Sequence, residues 1–176
     1  MEIIQIKVGE LGTNCYILKT EKEAIIIDPG GDTNKILENI EQQNVRIINT
    51  HYHFDHTVAN NELKEKLNAE ILIHENEKEY IDFHIDKFLK DREELKINGT
   101  KLKVINTPGH TKGSICLLGD NFIFTGDTLF DCGYGRTDLP GGEPEKMYES
   151  LNKLNEILED KMKIYPGHGE PFFWTK

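Results

Sequence analysis

The chain has 176 residues, of which 37% are hydrophobic and 30% charged, and its formal net charge is −10. This length suits one domain spanning residues 1–176, and the negative charge argues against anionic partners such as nucleic acids and acidic membrane surfaces. No apolar run approaches the roughly 20 residues that a membrane span requires, and the start of the chain lacks a secretory signal, so we expect a soluble, cytoplasmic protein.

Hydrophobic alternation and helical spacing predict the elements of the first half of the chain. Short strands come first, a helix follows, and strands and helices then alternate. The predicted strands are residues 2–8, 14–19, 24–28, 45–49 and 70–73, and the predicted helices are residues 33–43 and 57–68. The polar stretch 75–94 follows, and its scattered apolar residues predict a further helical segment.

The second half contains three more strands before a loop and a final helix. The strands are residues 101–106, 114–118 and 121–125, the glycine-rich loop is 131–142, the amphipathic helix is 145–158, and a short strand at 163–165 ends the series. Alternating strands and helices of this kind predict a layered α/β domain with mixed sheets.

The cysteines and the glycine-rich loop carry no site prediction. Cys15, Cys116 and Cys132 lie far apart and form no close pair of the kind found in zinc knuckles or redox motifs, so we expect reduced thiols. The glycines of residues 131–142 do not form the phosphate-binding pattern that follows a strand in dinucleotide-binding folds. A turn-rich loop is the better interpretation.

A dense histidine motif follows the predicted strand 45–49. It reads His51-Tyr52-His53-Phe54-Asp55-His56. Residues two apart on an extended backbone face the same way, so His51 and His53 can meet at one ion, and a bend can direct Asp55 and His56 to a second. The plainer alternative is that Asp55 or Thr57 only caps the helix predicted to begin near residue 57.

Three further residues at strand ends extend this motif. Residues 107–110 and 165–168 both end in Pro-Gly-His, so that His110 and His168 follow a sharp turn at a strand end. Asp127 follows another strand. Imidazole and carboxylate suit zinc, iron or manganese, and a carboxylate can bridge two ions about 3.5–4 Å apart, so we predict that Asp127 is the bridge.

Interpretations without a metal ion compete with these assignments. Taken singly, His110 and His168 are ordinary turn residues, and only the first cluster favours a metal role for them. His74 and His84 lie outside every such pattern, and we assign them no chemistry.

Four segments together resemble a known family: residues 51–56, Gly109-His110-Thr111, Gly126-Asp127-Thr128 and Gly167-His168-Gly169. The sequence resembles the metallo-β-lactamase-fold hydrolases over nearly its whole length, and residues 126–130 and 135–142 resemble the single-domain glyoxalase II-like branch in particular. The resemblance implies an αββα sandwich of two mixed β-sheets flanked by helices, with metals at one sheet edge.

The resemblance also implies how the ligands divide. One metal ion would take His51, His53 and His110, the other would take Asp55, His56 and His168, and Asp127 would bridge them. Flavodiiron-type relatives have Glu in place of His53, and lactamases usually have Cys in place of Asp127, which disfavours both branches. Glyoxalase II adds a C-terminal helical region that binds glutathione, whereas eight residues follow His168 here. The thiol part of a substrate is therefore left open.

The leading hypothesis is hydrolysis of a small-molecule thioester such as S-lactoylglutathione. A hydroxide held between two divalent ions, zinc in the first place and iron or manganese as alternatives, would attack the acyl carbon, and Asp55 would orient it as the catalytic residue. Lys112, Tyr134 and Arg136 are the nearest candidates for contacts with the substrate, although Arg136 can equally fix its own loop through Asp138. The oligomeric state is left open.

Two other classes of function compete with this hypothesis. His51, His110 and Asp127 alone form a two-His, one-carboxylate set suited to non-haem iron, and persulfide dioxygenases of this fold resemble the chain at those positions. A non-catalytic, metal-stabilised binding module is the weakest candidate, because seven ligands exceed the closed four-ligand site that a structural metal needs.

Overall fold

A computed structural model describes residues 1–176 and contains two six-stranded β-sheets. The strands of the first sheet lie side by side in chain order, which is β1 Glu2–Val8, β2 Thr13–Lys19, β3 Glu23–Ile27, β4 Asn44–Ile48, β5 Glu70–His74 and β6 Lys87–Leu89. The first three strands are antiparallel, and β3 to β6 run parallel to one another.

The second sheet contains the remaining six strands, in the reverse of chain order. They are β7 Glu94–Ile97, β8 Thr100–Asn106, β9 Ile115–Leu118, β10 Phe122–Gly126, β11 Lys163–Pro166 and β12 Phe172–Phe173. All neighbours are antiparallel except β10 and β11. Both sheets are therefore mixed, as the sequence predicts.

The helices cover the outer faces of the two sheets. They are α1 Thr33–Leu37, α2 Phe54–Thr57, α3 Asn60–Leu67 and α4 Pro144–Ile157. Strand β2 shows the layering, because Tyr16 and Leu18 belong to the core between the sheets while Ile17 packs on the outer face with Ile36 and Leu63. A third apolar cluster joins the second sheet to α4. The αββα sandwich is confirmed.

The longest helix has 14 residues, and no helix combines the length and apolar character needed to cross a membrane. The three cysteines are unpaired, with Cys15 and Cys116 buried and Cys132 exposed.

Three predicted helical segments are wrong in extent or type. The helix predicted at 33–43 ends at Leu37, although Ile40 still packs on the sheet. The helix predicted at 57–68 is divided into α2 and α3, because the amide of Ala59 donates to the carbonyl of Pro29 rather than continuing the helical ladder.

The stretch 75–94 is not helical. It forms a 3-10 turn at Glu75–Glu77, strand β6 and the first residue of β7. An extended backbone here lets Leu89 and Leu95 enter the core between the sheets, which a helix would not allow. Tertiary burial thus outweighs the helical spacing of the apolar residues.

Strands from both sheets end at one edge of the sandwich. Strands β3 and β4 are parallel and end together, and β8, β10 and β11 run in a common direction in the second sheet. At this edge Asn14 donates its side-chain amide to the carbonyls of Pro166 and Gly169, and the Tyr16 hydroxyl also donates to Pro166. These bonds fix the ends of the two sheets against each other.

Candidate metal centre

Seven side chains from four segments of the chain meet at this edge. They are the four from the first motif and one from each of three later strand ends: His51, His53, Asp55, His56, His110, Asp127 and His168. Their side-chain atoms form two separate groups of three, and a third group, His51, His56 and Asp127, overlaps both and places Asp127 between them. The structure thus brings together the seven residues that the sequence analysis selected.

The first group consists of three imidazoles, those of His51, His53 and His110. Nδ1 of His53 lies 2.9 Å from Nε2 of His110. The ring of His51 is 4.7 Å from each of the other two rings, centre to centre. Three nitrogen donors therefore face one small volume, as in a tetrahedral metal site that leaves its fourth position open.

The second group contains a carboxylate and two imidazoles. Oδ2 of Asp55 lies 3.3 Å from Nε2 of His168 and 3.4 Å from Nε2 of His56, and it accepts a hydrogen bond of 2.9 Å from the hydroxyl of Thr13. This group contains a carboxylate, which the first group lacks. Both groups draw their members from both sheets.

Asp127 lies between the two groups. One oxygen, Oδ1, is 3.5 Å from Nε2 of His56, and the other, Oδ2, is 3.5 Å from Nε2 of His110 and 3.6 Å from Nε2 of His168. Oδ1 thus faces the second group and Oδ2 faces both groups, a position from which a carboxylate can bridge two ions.

Hydrogen bonds behind the rings fix their orientation. Nδ1 of His110 donates to the carbonyl of Arg136 over 2.6 Å, and Nδ1 of His56 lies 3.0 Å from a carboxylate oxygen of Asp28. The Thr50 hydroxyl donates to Asp28 and lies 3.1 Å from Nδ1 of His51. Each of these rings therefore presents Nε2 to the cluster, and such outer partners set the tautomer and orientation of metal-binding histidines.

Asp28 is the site residue that sequence reasoning missed. It was assigned to the end of a strand, yet it is buried, accepts from the amide and hydroxyl of Thr50, and contacts His56. A signal was present in the sequence, because Asp28-Pro29-Gly30 is another strand end punctuated by Pro and Gly, like those before His110 and His168. Its φ of 53° is unusual for a residue other than glycine.

Two glycines allow the loops to approach this closely. A Cβ on Gly30 would lie 1.6 Å from the backbone oxygen of Asp55, and a Cβ on Gly167 would lie 2.2 Å from Oδ1 of Asp127. Side chains at either position would displace residues of the cluster. Both glycines are therefore required by contact distance.

The electrostatics of the two groups differ. Burial and the neighbouring His110 lower the pKa of His53 to about 4, and the pKa values of His51 and His110 are also lowered, chiefly by burial. Burial lowers the pKa of His56 too, but the carboxylates of Asp28 and Asp127 outweigh it and raise that pKa to about 9. The first three rings are thus neutral donors near pH 7.

The donor set fits a metal centre. Buried side-chain atoms without a hydrogen-bond partner concentrate here and include Nε2 of His51, His53 and His56 and Oδ1 of Asp127. Buried polar atoms are rarely left unsatisfied in folded proteins, and imidazole nitrogens and carboxylate oxygens that converge in one place suit a divalent cation.

Five residues of the cluster, all except His51 and His56, line a cleft of about 590 Å³. Of the three predicted substrate contacts, Arg136 lines this cleft, and Asp138 holds its guanidinium through two hydrogen bonds of 2.7 Å. Lys112 lines a different cleft, 3.6 Å from Glu79, and Tyr134 packs its ring against Tyr148. The structure therefore does not bring Lys112 or Tyr134 to the cluster.

Comparison with known proteins identifies the family. The model of the metallo-beta-lactamase superfamily matches residues 8–168. The chain belongs to the metallo-beta-lactamase superfamily. Membership of this superfamily indicates a metal-dependent hydrolase, which agrees with the His and Asp cluster at the sheet edge.

Individual members of the metallo-beta-lactamase superfamily are similar over nearly the whole chain. The hydroxyacylglutathione hydrolase GloC of Haemophilus influenzae is 35% identical over 194 residues, which cover 96% of this chain and 91% of GloC. The BLEG-1 B3 metallo-beta-lactamase structure gives a TM-score of 0.90 at 28% identity and covers 98% of this chain and 94% of its own. The di-iron-bound form of TTHA1623 gives 0.84 at 25% identity, covering 97% and 94%.

Proposed function

We propose that this chain hydrolyses thioesters with two divalent metal ions. His51, His53 and His110 would hold one ion, Asp55, His56 and His168 would hold the other, and Asp127 would contact both. The observation that carries the proposal is the pair of three-residue groups, joined by one carboxylate, at a single cleft.

Zinc is the ion that we expect first. Imidazole and carboxylate donors suit zinc, and they also suit iron and manganese. The di-iron form of the similar TTHA1623 supports a two-ion site and keeps iron as the main alternative.

The reaction is a simple hydrolysis. Two bound divalent ions would lower the pKa of water toward about 7 and stabilise charge on the carbonyl oxygen. Overall, the oxygen of water forms a bond to the acyl carbon, the carbon–sulfur bond breaks with its electron pair going to sulfur, and a carboxylic acid and a thiol result. Because a thiol has a pKa near about 8–9, the thiolate leaves without a dedicated general acid.

Asp55 is the residue that we assign to orienting the attacking water. Its carboxylate lines the cleft, and Thr13 and His168 restrain one of its oxygens. Burial raises the pKa of Asp55, but the hydrogen bond with His168 and the nearby His56 lower it by more, so that the carboxylate stays ionised at neutral pH. An ionised carboxylate accepts hydrogen bonds from water.

A thioester is the favoured substrate class for two reasons. The similarity to the hydroxyacylglutathione hydrolase GloC extends over 96% of the chain and supports an acyl-thiol bond as the target. Apart from the cluster, the cleft offers Arg136 and Tyr52 as its ionisable side chains, and neither is placed as a dedicated acid for a poor leaving group.

The competing candidate is a mononuclear iron dioxygenase. Nε2 of His110 lies 3.5 Å from Oδ2 of Asp127, and the rings of His51 and His110 are 4.7 Å apart, so these three residues can face a single ion. Oxygen chemistry on a persulfide would need only this set.

One experiment separates the two functions. The protein is purified without added metal, its metal content is measured by mass spectrometry, and it is assayed for hydrolysis of an acetyl thioester and of S-lactoylglutathione, for persulfide-dependent oxygen uptake and for cleavage of a β-lactam. We expect two ions per chain and thioester hydrolysis. One iron with oxygen uptake and no thioester hydrolysis would establish the dioxygenase, and faster cleavage of the β-lactam would reject the thioester.

A further inference from the structure

The opening of the metal cleft carries exposed apolar side chains. Leu11, at the turn between β1 and β2, is 58% exposed, and Phe54, the first residue of α2, is 69% exposed. Both line the cleft together with Phe130, Leu139 and Pro140. Large apolar side chains that cluster in the open around a concave site mark a surface that binds an apolar group.

Positive charge is scarce in the same lining. Outside the histidines, Arg136 is the only cationic side chain that lines the cleft, and both carboxylate oxygens of Asp138 accept from it. Lys112 lies in another cleft beside Glu79. The chain as a whole carries a net charge of −10, which adds repulsion toward anionic ligands.

These features favour one substrate class within the proposed reaction. Glutathione carries two free carboxylates, and the lining offers them no unpaired cation. An alkyl or aryl substituent would instead contact Leu11 and Phe54 and remove their surface from water. We propose that the substrate is a thioester whose acyl or thiol substituent in this cleft is apolar and uncharged, and that glutathione thioesters are secondary substrates. This inference rests on the proposed thioester hydrolysis.

The test is a pair of matched substrate series with the metal-loaded protein. One series lengthens the acyl group of an N-acetylcysteamine thioester from acetyl to hexanoyl, and the other lengthens the thiol of an acetyl thioester from ethanethiol to hexanethiol. We expect kcat/KM to rise by about two- to four-fold per methylene along at least one series, as burial of each methylene in an apolar contact predicts. We also expect the lactoyl thioester of N-acetylcysteamine to exceed S-lactoylglutathione in kcat/KM.

Variants locate the effect. Leu11→Ser and Phe54→Ser should both reduce the gain in kcat/KM per methylene. Phe54 is next to the proposed ligand Asp55 in the chain, whereas Leu11 is not, so Leu11→Ser tests the apolar contact separately from the metal site. Phe173→Ser is the control, because Phe173 is 64% exposed on β12 and does not line the cleft. The gain is a ratio of two substrates, so partial loss of metal in a variant does not change it.

The outcomes separate this inference from the function on which it rests. If no thioester is hydrolysed by metal-loaded protein, the proposed function itself is wrong. If thioesters are hydrolysed but both series are flat, or the glutathione thioester is preferred, the apolar substrate class alone is overturned. A gain that survives in both Leu11→Ser and Phe54→Ser would also overturn it.

Discussion

The two groups of the cluster differ most in charge. His51, His53 and His110 form a neutral group whose pKa values burial lowers, whereas the other group contains Asp55 and has Asp28 directly behind His56. A dication at the first group would have no carboxylate of that group to offset its charge. Its nearest carboxylate is Asp127, which both groups share.

One buried carboxylate lies behind each group, and the two differ in what they contact. Asp28 contacts a histidine of the second group. Glu77, behind the first group, accepts from the hydroxyl of Thr111 and the amide of Gly113, in the loop that carries His110, and contacts no ring. A buried carboxylate thus contacts a ring of the second group but only the loop behind the first, so substitutions of carboxylates should affect the two groups unequally.

The largest effect should come from Asp127→Asn. Asparagine keeps the shape but removes the one negative charge that faces both groups, so the repulsion between two close dications would no longer be offset. We expect both ions to be lost on dialysis, with affinity falling by more than the roughly 10–100-fold typical of a lost outer partner. Metal analysis of the purified variant measures this.

Two further variants sharpen that result. Asp55→Asn should weaken mainly the second ion, and Asp138→Asn, which breaks only the pair with Arg136, should retain both. An Asp127→Asn protein that keeps two ions would show that the bridging assignment is wrong.

The next effect should come from His168→Ala. His168 belongs to the second group alone, so the metal content should fall from two ions toward one, and thioester turnover should fall strongly with it. Metal analysis and kcat on the same preparation check this. Full activity with a single ion would exclude a two-ion mechanism, and unchanged persulfide oxidation would favour the dioxygenase.

Asp28→Asn should have a smaller and one-sided effect. It leaves every ligand in place but removes the charge behind His56 and weakens the contact with Thr50. We expect the affinity of the second ion to fall by about 10–100-fold, and that of the first ion by less, in a competition titration with a chromophoric chelator. Asp86→Asn, which removes a carboxylate that accepts from the Ile71 amide far from the cluster, is the control. Equal weakening of both ions would contradict the comparison.

The smallest effect on metal content should come from Glu77→Gln, whose effect should appear in the free energy of unfolding instead. Burial raises the pKa of Glu77 from 4.5 to about 7, against the hydrogen bonds from Thr111, Gly113 and the backbone of Tyr52 that lower it. A raised pKa means that the folded state binds the proton more tightly than the unfolded state. The stabilisation that the Glu77 proton gives the folded state is therefore fully present below pH 4.5 and is lost as the pH rises to about 7. The free energy of unfolding falls by about 3 kcal/mol at most over this interval.

Urea unfolding at several pH values between 4.5 and 8, with saturating metal, measures this term. The free energy of unfolding of the wild type minus that of Glu77→Gln should decrease as the pH rises through this interval and then level off. Subtracting the variant cancels the titration of the other groups. A difference that does not change with pH would show that Glu77 has an ordinary pKa in the folded protein.

Sequence patterns predict the residues of the cluster more readily than the residues that contact them from behind. His110, Asp127 and His168 each follow a strand, and parallel strand ends meet at one edge, so their convergence follows from local signals. The role of Asp28 could not be predicted from local signals, because it depends on contact with His56, which is 28 residues away in the chain. Lys112 and Tyr134 are close to the motifs in sequence, but their side chains turn to Glu79 and Tyr148 instead.

The same limit applies to the fold. Alternating strands predict the two sheets, because their period of two is visible in residues such as Tyr16 and Ile17. For the stretch 75–94, the spacing of its few apolar residues predicts a helix, which the structure does not contain. Its strand β6 exists only because β5 offers a free edge beside it, which no local pattern reports.

The hydrogen bonds that Asn14 and Tyr16 donate to Pro166 and Gly169 involve protein atoms alone. They hold the loops of both sheets in register next to the cluster whether or not an ion is bound. We therefore expect metal to fill a preformed site in a folded chain rather than to drive folding. Ions bound in this way would exchange without unfolding, so that the metal content would follow the supply in the surroundings as well as the preference of the donor atoms.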